Sequence, residues 1–165
     1  MSIQSPRRSV LHYAYKLLSY RSRSEAEMVR RLRMKGFDGP SVSKAVSQLK
    51  ESGFLDDRKL AASLRRYAEE SKQLSIAGTR GYLLQRGVPE EMIDEVVGDI
   101  DEIETATKLV EKKIAGWRKQ SLSRKGSQLD DTLIRKLYRM LYRKGYPSDA
   151  IKKVLHHHTE QEDME

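Results

Sequence analysis

The sequence predicts an all-α protein made of three tandem three-helix repeats, each resembling a helix-turn-helix unit, in an elongated, curved array. The first observation is a six-residue pattern with an apolar residue, a basic residue in fourth place, a glycine and a second apolar residue. It occurs at residues 32–37, 83–88 and 141–146. Two apolar residues then follow each copy at the same offsets, as Val42 and Val46 follow Phe37 by five and nine residues. Finally, no segment shows sustained strand alternation.

The repeats differ in length. The glycines of the pattern, Gly36, Gly87 and Gly145, are 51 and then 58 residues apart, so the third repeat carries the extra length. The expected boundaries are 10–53, 54–98 and 99–157 for the repeats, 1–9 for a flexible N-terminus, 119–128 for a basic loop and 158–165 for an acidic tail. The polar and basic composition of 119–128 predicts that this loop is mobile.

In repeat 1, apolar residues at helical spacing predict a first helix from Val10 to Tyr20. Ser24 followed three residues later by Glu27 predicts a capping box at the start of the second helix. Gly36 is expected to end that helix in the left-handed position after its last turn. Pro40 then begins the third helix.

In repeat 2, Asp56 and Asp57 are expected to begin the first helix, because carboxylates are favourable at a helix N-terminus. The second helix, at about residues 76–86, contains Gly78 and Gly81. Each of these costs roughly 1 kcal/mol of helix propensity relative to alanine, so this helix is expected to be the weakest. Pro89 begins the third helix.

In repeat 3, apolar spacing predicts a first helix over residues 101–117. The second helix follows the basic loop and is amphipathic. Its inward residues are Ile134, Leu137, Tyr138 and Leu141, and its outward residues are Lys136, Arg139 and Arg143. Pro147 begins the last helix.

The composition favours a soluble protein with a polyanionic partner. The net charge is +8, and residues 112–144 hold eleven Lys or Arg against Asp130 and Asp131. Residues 90–104 are strongly acidic, which is consistent with an additional protein partner. No apolar run is long enough to span a membrane and none begins the chain, so we expect no membrane segment and no secretory signal. The absence of cysteine fits a reducing cytoplasm.

No pattern predicts catalysis. The pairs Asp56–Asp57 and Asp130–Asp131 resemble metal ligands, but both precede helices, where capping explains them. The tract His156–His158 places adjacent residues on different helix faces, which does not suit a designed metal site. The sequence has no phosphate-binding glycine loop, nucleophile elbow or zinc spacing. We therefore expect no enzyme activity, no catalytic residue, no metal and no cofactor.

Outward cations are the candidate functional residues, because regularly spaced Lys and Arg suit a phosphate backbone. The candidates for binding nucleic acid or a nucleoprotein filament are Arg30, Arg31, Lys35, Lys136, Arg139, Arg143, Lys144 and, in the basic loop, Arg124 and Lys125. Tyrosines are candidates for stacking on bases, namely Tyr82, Tyr138, Tyr142 and Tyr146, although the helical spacing favours a core position for Tyr138. Two alternatives remain, namely solvated surface charge and, for the residue before each glycine, complementation of the helix dipole.

Several short motifs follow one another in an order and spacing typical of one family. They are Ala14–Leu18, Ser22–Glu27, Leu32–Phe37, Gly53–Asp57, Arg86–Val88 and Arg143–Tyr146. In these residues, over nearly the whole chain, the protein resembles the RecX family of bacterial regulators of the RecA recombinase. It departs from the family pattern at Gly78, Thr79 and Gly81, where an Arg, an aliphatic residue and a polar residue are common.

The resemblance implies a non-enzymatic modulator that binds the RecA–single-stranded DNA filament. It further implies suppression of RecA ATPase, strand exchange and co-protease activity. We separately expect the protein to be cytoplasmic and monomeric. Duplex DNA is a second possible nucleic-acid partner. Two other classes stay open on the residues alone. One is a general helix-turn-helix-like DNA-binding protein without RecA specificity. The other is a nuclease, against which the missing carboxylate cluster argues.

Overall fold

A computed structural model describes residues 9–98, 100–120 and 131–162, with side chains described for 9–98, 100–117 and 131–158. These ranges hold nine α-helices and one π-helical turn, with no strand. The helices are α1 Val10–Tyr20, α2 Glu25–Met34, α3 Gly39–Glu51, α4 Asp57–Tyr67, α5 Ile76–Gln85, α6 Glu90–Val97, α7 Glu102–Gln120, α8 Asp131–Arg143 and α9 Ser148–Glu162, and the π-helical turn is Ala68–Lys72. The all-α class built from three-helix units is confirmed.

Two helices run further than the sequence predicted. α7 continues through Gln120, so Lys119 and Gln120 of the expected basic loop are helical. α9 continues through Glu162, into the expected acidic tail, because Gln and Glu are good helix formers. The rest of the loop, with Arg124 and Lys125, the end of the tail and the N-terminal segment 1–8 lie outside the described residues.

The chain forms two compact units. The first comprises residues up to Leu64 together with Leu83–Val96, and the second comprises Arg65–Tyr82 together with the residues from Val97 onward. The expected middle repeat, 54–98, contributes residues to both units. The boundaries predicted for the repeats stay a prediction.

Each unit has a core of apolar side chains at helical spacing. The first core consists of Ala14, Leu17, Met28, Leu32, Val42, Val46, Leu49 and Leu55. The second consists of Ala106, Leu109, Val110, Ile114, Leu137, Leu141, Tyr146, Ile151, Val154 and Leu155. Ile134 and Tyr138, predicted to point inward, are partly buried against the second core.

Tyr146 is a core residue and not a surface for base stacking. Its side chain is 2% exposed, and its hydroxyl donates to the Gln73 carbonyl at 3.3 Å. Burial, helped by the charge of Glu102, raises the pKa of Tyr146 to about 12. The prediction that this ring stacks on bases is therefore wrong, because the last apolar position of the six-residue pattern faces the core.

The six-residue pattern is the C-terminal cap of α2, α5 and α8. After α2, Gly36 has a φ of +95°, its N–H donates to the Arg33 carbonyl, and the Phe37 N–H donates to the Leu32 carbonyl at 3.3 Å. These are the two bonds of a Schellman motif. In this motif the first and last apolar residues of the pattern pack against each other across the turn. This explains why the two apolar residues and the glycine recur together.

In the first unit, the turn after α5 contacts the start of α2. The Ser24 hydroxyl accepts from the Glu27 N–H at 3.1 Å, which caps α2 as predicted, and donates to the Arg86 carbonyl at 2.8 Å. The Arg86 guanidinium in turn donates to the Ser22 carbonyl at 3.0 Å. A Cβ atom on Gly87 would lie 2.6 Å from the Ser24 hydroxyl oxygen, so only glycine permits this approach.

The second unit repeats this contact between the turn after α8 and the start of α5. The Ser75 N–H donates to the Lys144 carbonyl at 3.2 Å, and the Lys144 ammonium donates to the Lys72 carbonyl. The Ser75 hydroxyl caps α5 by accepting from the Gly78 N–H at 3.0 Å. A Cβ on Gly145 would lie 2.7 Å from that hydroxyl oxygen. Ser75 stands 51 residues after Ser24, the spacing of the repeat itself.

The same contact explains one of the two glycines inside α5. A Cβ on Gly78 would overlap the carbonyl oxygen of Lys144 and lie 3.2 Å from its carbon. At Gly81, no described atom beyond its chain neighbours and the nearby backbone of its own helix lies within 4 Å of the equivalent position. Gly78 is therefore required by the approach of another backbone, whereas Gly81 only lowers helix propensity.

Gly78→Ala and Gly81→Ala are accordingly expected to change stability in opposite directions. Gly78→Ala forces backbone apart and should lower the free energy of unfolding by about 1–3 kcal/mol. Gly81→Ala should raise it by up to about 1 kcal/mol through helix propensity. Urea unfolding followed by circular dichroism measures both, and equal effects of the two substitutions would contradict the close approach at Gly78.

Candidate nucleic-acid interface

One face of α8 is basic because the opposite face builds the core. Leu137 and Leu141 are fully buried, and the helical period then turns Lys136, Arg139 and Arg143 outward, where all three are exposed. These positions are i, i+3 and i+7, so their side chains follow one line along the helix. The described exposure agrees with the predicted orientation of all three.

A shallow groove of about 420 Å³, the α8 groove, runs along this face. It is lined by Lys136, Arg139, Met140, Arg143 and Lys144. The structure thus brings four of the predicted candidates together. Among the described residues, no carboxylate lies within ion-pair distance of Lys136, Arg139 or Arg143. The groove therefore presents cations that the rest of the described chain does not neutralise.

Lys144 differs from the other groove cations. It is half-buried, and its ammonium donates to the Lys72 carbonyl in the turn contact. Burial, followed by the charges of Lys113 and Lys72, lowers the pKa of Lys144. Its side chain forms the end wall of the groove while its ammonium is engaged within the fold.

An aromatic pair lies beside the basic line. The rings of Tyr138 and Tyr142 are nearly parallel, at 11°, with centroids 6.4 Å apart. The Tyr138 hydroxyl donates to the Ser148 hydroxyl at 3.2 Å, which holds the inner ring, while Tyr142 is 63% exposed. An exposed ring next to arginines is an arrangement that stacks on unpaired bases. Tyr82, a further stacking candidate, is half-buried, and the Lys72 ammonium lies 5.2 Å from its ring centroid.

The candidates on and after α2 lie in the first unit and are less uniform. Arg30 is exposed. The Arg31 Nε atom lies 3.8 Å from a carboxylate oxygen of Glu27. The Lys35 ammonium lies 5.7 Å from the centroid of the Tyr13 ring, a cation–π distance. Only Arg30 is thus without a described partner.

Glu27 forms a buried ionic cluster that the sequence did not predict. Its side chain is 5% exposed and accepts two bonds from the Arg21 guanidinium, at 2.9 and 2.6 Å, and a close one from Arg23. The N-cap half of the predicted capping box is confirmed, but the Glu27 carboxylate binds these arginines in place of the Ser24 N–H. Burial alone would raise the pKa of Glu27, but the bonds from Arg21 and the charge of Arg23 outweigh it and lower that pKa.

The carboxylates of Asp56 and Asp57 serve as helix caps. Asp56 accepts from the Lys59 N–H at 2.9 Å and caps α4. Asp57 accepts at 2.9 Å from the N–H of Glu25, in the first turn of α2. Neighbouring carboxylates thus cap two different helices, which supports capping as their role. Within the described residues, no group of three or more His, Cys, Asp or Glu could hold a metal ion.

Comparison with known proteins places the chain in a family. Models of the first and third three-helix domains of RecX match residues 11–49 and 99–155. The regulatory protein RecX of Trichlorobacter lovleyi is 32% identical over 145 residues, which cover 86% of this chain and 90% of that protein. The chain belongs to the RecX family. The α8 groove lies within the match to the third domain, and the exposed face of α2 lies within the match to the first.

Other RecX relatives show the same similarity with different lengths. The regulatory protein RecX of Chlorobaculum tepidum is 36% identical over 106 residues, or 64% of this chain. The chain spans 66% of that protein's length and 65% of that of a RecX from Clostridium botulinum. The crystal structure of RecX from Lactobacillus salivarius has the same fold, with a TM-score of 0.66 at 20% identity over 90% of this chain and 93% of that one. Within the described part of the chain, no helix is both long and apolar enough to cross a membrane.

Glu27→Gln is expected to destabilise the protein in a pH-dependent way. A carboxyl whose pKa is lowered by folding stabilises the folded state above its unfolded pKa, and the contribution is lost as the pH falls through the folded value. At pH 7 the substitution should lower the free energy of unfolding by about 2–3 kcal/mol, because it leaves the buried Arg23 unpaired. The difference in the free energy of unfolding between the variant and the wild type should shrink when the pH falls below the ordinary pKa of glutamate.

The matched control is Glu95→Gln, which removes an exposed carboxylate paired with Arg58 at 3.2 Å and should change stability little. Urea unfolding at neutral and acid pH measures both variants. A Glu27→Gln protein as stable as the wild type at neutral pH would contradict a stabilising role for the cluster.

Proposed function

We propose that this protein regulates the RecA recombinase by binding the RecA–single-stranded DNA filament and suppressing its ATPase, strand-exchange and co-protease activities. The single observation that carries the proposal is the α8 groove, with its line of exposed cations in the third domain of a RecX family member. Relatives across the chain are named regulatory proteins, which supports a role in regulation. The regulator itself needs no catalytic residue, because occupancy of the filament is sufficient to alter RecA.

The chemistry of the groove suits a phosphate backbone. From Lys136 to Arg143 the helix rises about 10 Å, which is the axial length of about three phosphates of one strand. Cations held along this line bind phosphates by charge and by release of counterions, without reading base identity. Tyr142 adds a ring that stacks on bases only where they are unpaired, which favours a single strand over a duplex.

A second candidate function is general DNA binding without RecA specificity, which the same cations of α8 also support. The two candidates differ in what increases affinity. A filament regulator binds the RecA–DNA complex more tightly than naked DNA of the same length, whereas a general DNA-binding module loses sites when RecA covers the strand. We expect the protein to act in the cytoplasm as a monomer in either case.

Titration of the protein into a RecA ATPase assay on single-stranded DNA tests the main proposal. We expect the rate of ATP hydrolysis to fall as the protein approaches stoichiometry with RecA, because bound regulator perturbs adjacent RecA subunits. Strand exchange and co-protease cleavage should fall over the same range. An unchanged ATPase rate at stoichiometric protein would refute regulation by inhibition.

Arg139→Ala/Arg143→Ala is expected to weaken DNA binding and to reduce its salt dependence. The slope of log K against log salt concentration is negative, and the loss of two phosphate contacts should reduce its magnitude by about 1.4 for a single strand. The matched control is Lys152→Ala/Lys153→Ala, which removes the same charge from exposed positions of α9 in the same unit and should leave the slope nearly unchanged. Fluorescence anisotropy with labelled single-stranded DNA gives both slopes, and equal slopes for the two variants would exclude the α8 groove as the DNA contact.

A further inference from the structure

A second groove, the α2 groove, lies in the first unit along the exposed face of α2 and has a volume of about 600 Å³. Its apolar lining comes from Ala26, Val29, Met34 and Pro89. Met28 and Leu32 of α2 lie in the core, whereas Met34 of the same helix is 76% exposed. The volume lies in the range of sites that bury one or a few side chains of a ligand. Flexible methionine is common on surfaces that bind apolar side chains of partners.

Each of the two carboxylates of the groove has a partner within the fold. The Glu25 carboxylate is paired with the Lys50 ammonium at 2.7 Å. The Asp57 carboxylate accepts from the Glu25 N–H at 2.9 Å, at the positive end of the α2 dipole. Both acids are thus engaged within the fold.

The two arginines of the groove are different. Arg30 and Arg33 are both exposed, and within the described residues neither forms an ion pair or a side-chain hydrogen bond. They stand i and i+3 on α2, so both guanidinium groups border the apolar lining. The groove therefore offers an apolar surface and two available cations that can each bind a carboxylate in a bidentate manner.

The lining distinguishes a protein ligand from a nucleic-acid ligand. Of the described lining residues, the α8 groove has four cations and one apolar residue, Met140, whereas half of those of the α2 groove are apolar. Among the described residues, no aromatic ring lines the α2 groove, so this part of the chain offers no platform on which an unpaired base could stack. An apolar floor with flanking arginines matches a peptide that presents apolar and acidic side chains together.

We infer that the α2 groove binds an acidic, apolar segment of a protein partner, with an aliphatic or aromatic side chain against Val29 and Met34 and a carboxylate on Arg30 or Arg33. The inference deepens the proposed function and rests on it, since the partner is then the protein component of the filament. The α8 groove contacts the DNA of the same complex. Contacts to protein through one helix and to DNA through another would make binding specific for the nucleoprotein filament.

Site-specific photo-crosslinking in the full chain tests this assignment. A benzophenone amino acid replaces Met34 in one protein and Tyr142 in another, and each is irradiated with RecA filaments on single-stranded DNA. We expect the Met34 position to attach to RecA, at a peptide rich in Asp or Glu and apolar residues, and the Tyr142 position to attach to DNA. Attachment of the Met34 position to DNA, or to nothing while Tyr142 still attaches to DNA, overturns the inference and leaves the proposed function standing. Failure of both positions to attach overturns the proposed function as well.

A charge-reversal variant of the two arginines tests the inference by its affinity for the filament. Arg30→Glu/Arg33→Glu should weaken binding to the filament by at least about tenfold, since it removes a charge-assisted hydrogen bond and places carboxylates opposite an acidic ligand. The matched control is Lys16→Glu/Lys44→Glu, which makes the same change in net charge at exposed positions of the same unit. Affinity for naked single-stranded DNA should be equal in the two variants. A greater loss of affinity for naked DNA in the Arg30/Arg33 variant than in the control would show that the α2 groove binds nucleic acid. A filament affinity equal to that of the control would show that the α2 groove binds neither the protein nor the DNA of the filament.

Discussion

The contact between a glycine turn and a serine N-cap is the constraint on which the rest of this structure depends. The carbonyl that precedes Gly87 accepts from Ser24, and the carbonyl that precedes Gly145 accepts from Ser75. In both cases the end of one helix satisfies its free carbonyl at the start of another, where the same serine also caps free N–H groups. The distance between the helix ends leaves no room for a Cβ atom. Gly87 and Gly145 are therefore each required twice, once by a positive φ and once by this approach, whereas Gly36 is required by its positive φ.

This contact also gives the basic residue of the pattern a hydrogen-bonding role within the fold. The side chains of Arg86 and Lys144 extend to the Ser22 and Lys72 carbonyls, so each fastens its turn to the helix start that it meets. Lys35, at the corresponding position after α2, instead lies over the Tyr13 ring. Complementation of the helix dipole is one interpretation of this recurring cation, and the structure shows a contact with a carbonyl in two of the three copies. The cations that remain available for a ligand are those one or two turns earlier, such as Arg139.

The rules of helix capping and helical periodicity predicted the features that depend on residues close together in the sequence. Ser24 as an N-cap, Gly36 as a left-handed C-cap and the outward direction of Arg139 each follow from residues within two helical turns. The sequence did not predict that Asp57 caps α2, because that bond joins residues 32 positions apart. Gly78 was interpreted as a defect of α5 for the same reason, since the backbone that requires it belongs to Lys144. The α2 groove was also missed, because its apolar lining includes Pro89, which is distant in sequence.

The repeat places two helices in the same structural role and lets their exposed faces differ. Aligned on Gly36 and Gly145, Arg30 corresponds to Arg139, but Met34 corresponds to Arg143. The shared arginine gives both grooves an anion-binding group, and the second position makes one groove apolar and the other cationic. The middle repeat has Gly81 and Gln85 at these positions and so lacks both features. Because a filament of protein on DNA presents carboxylates and phosphates at once, two grooves that share this arginine and differ four residues later suit the partner that we propose.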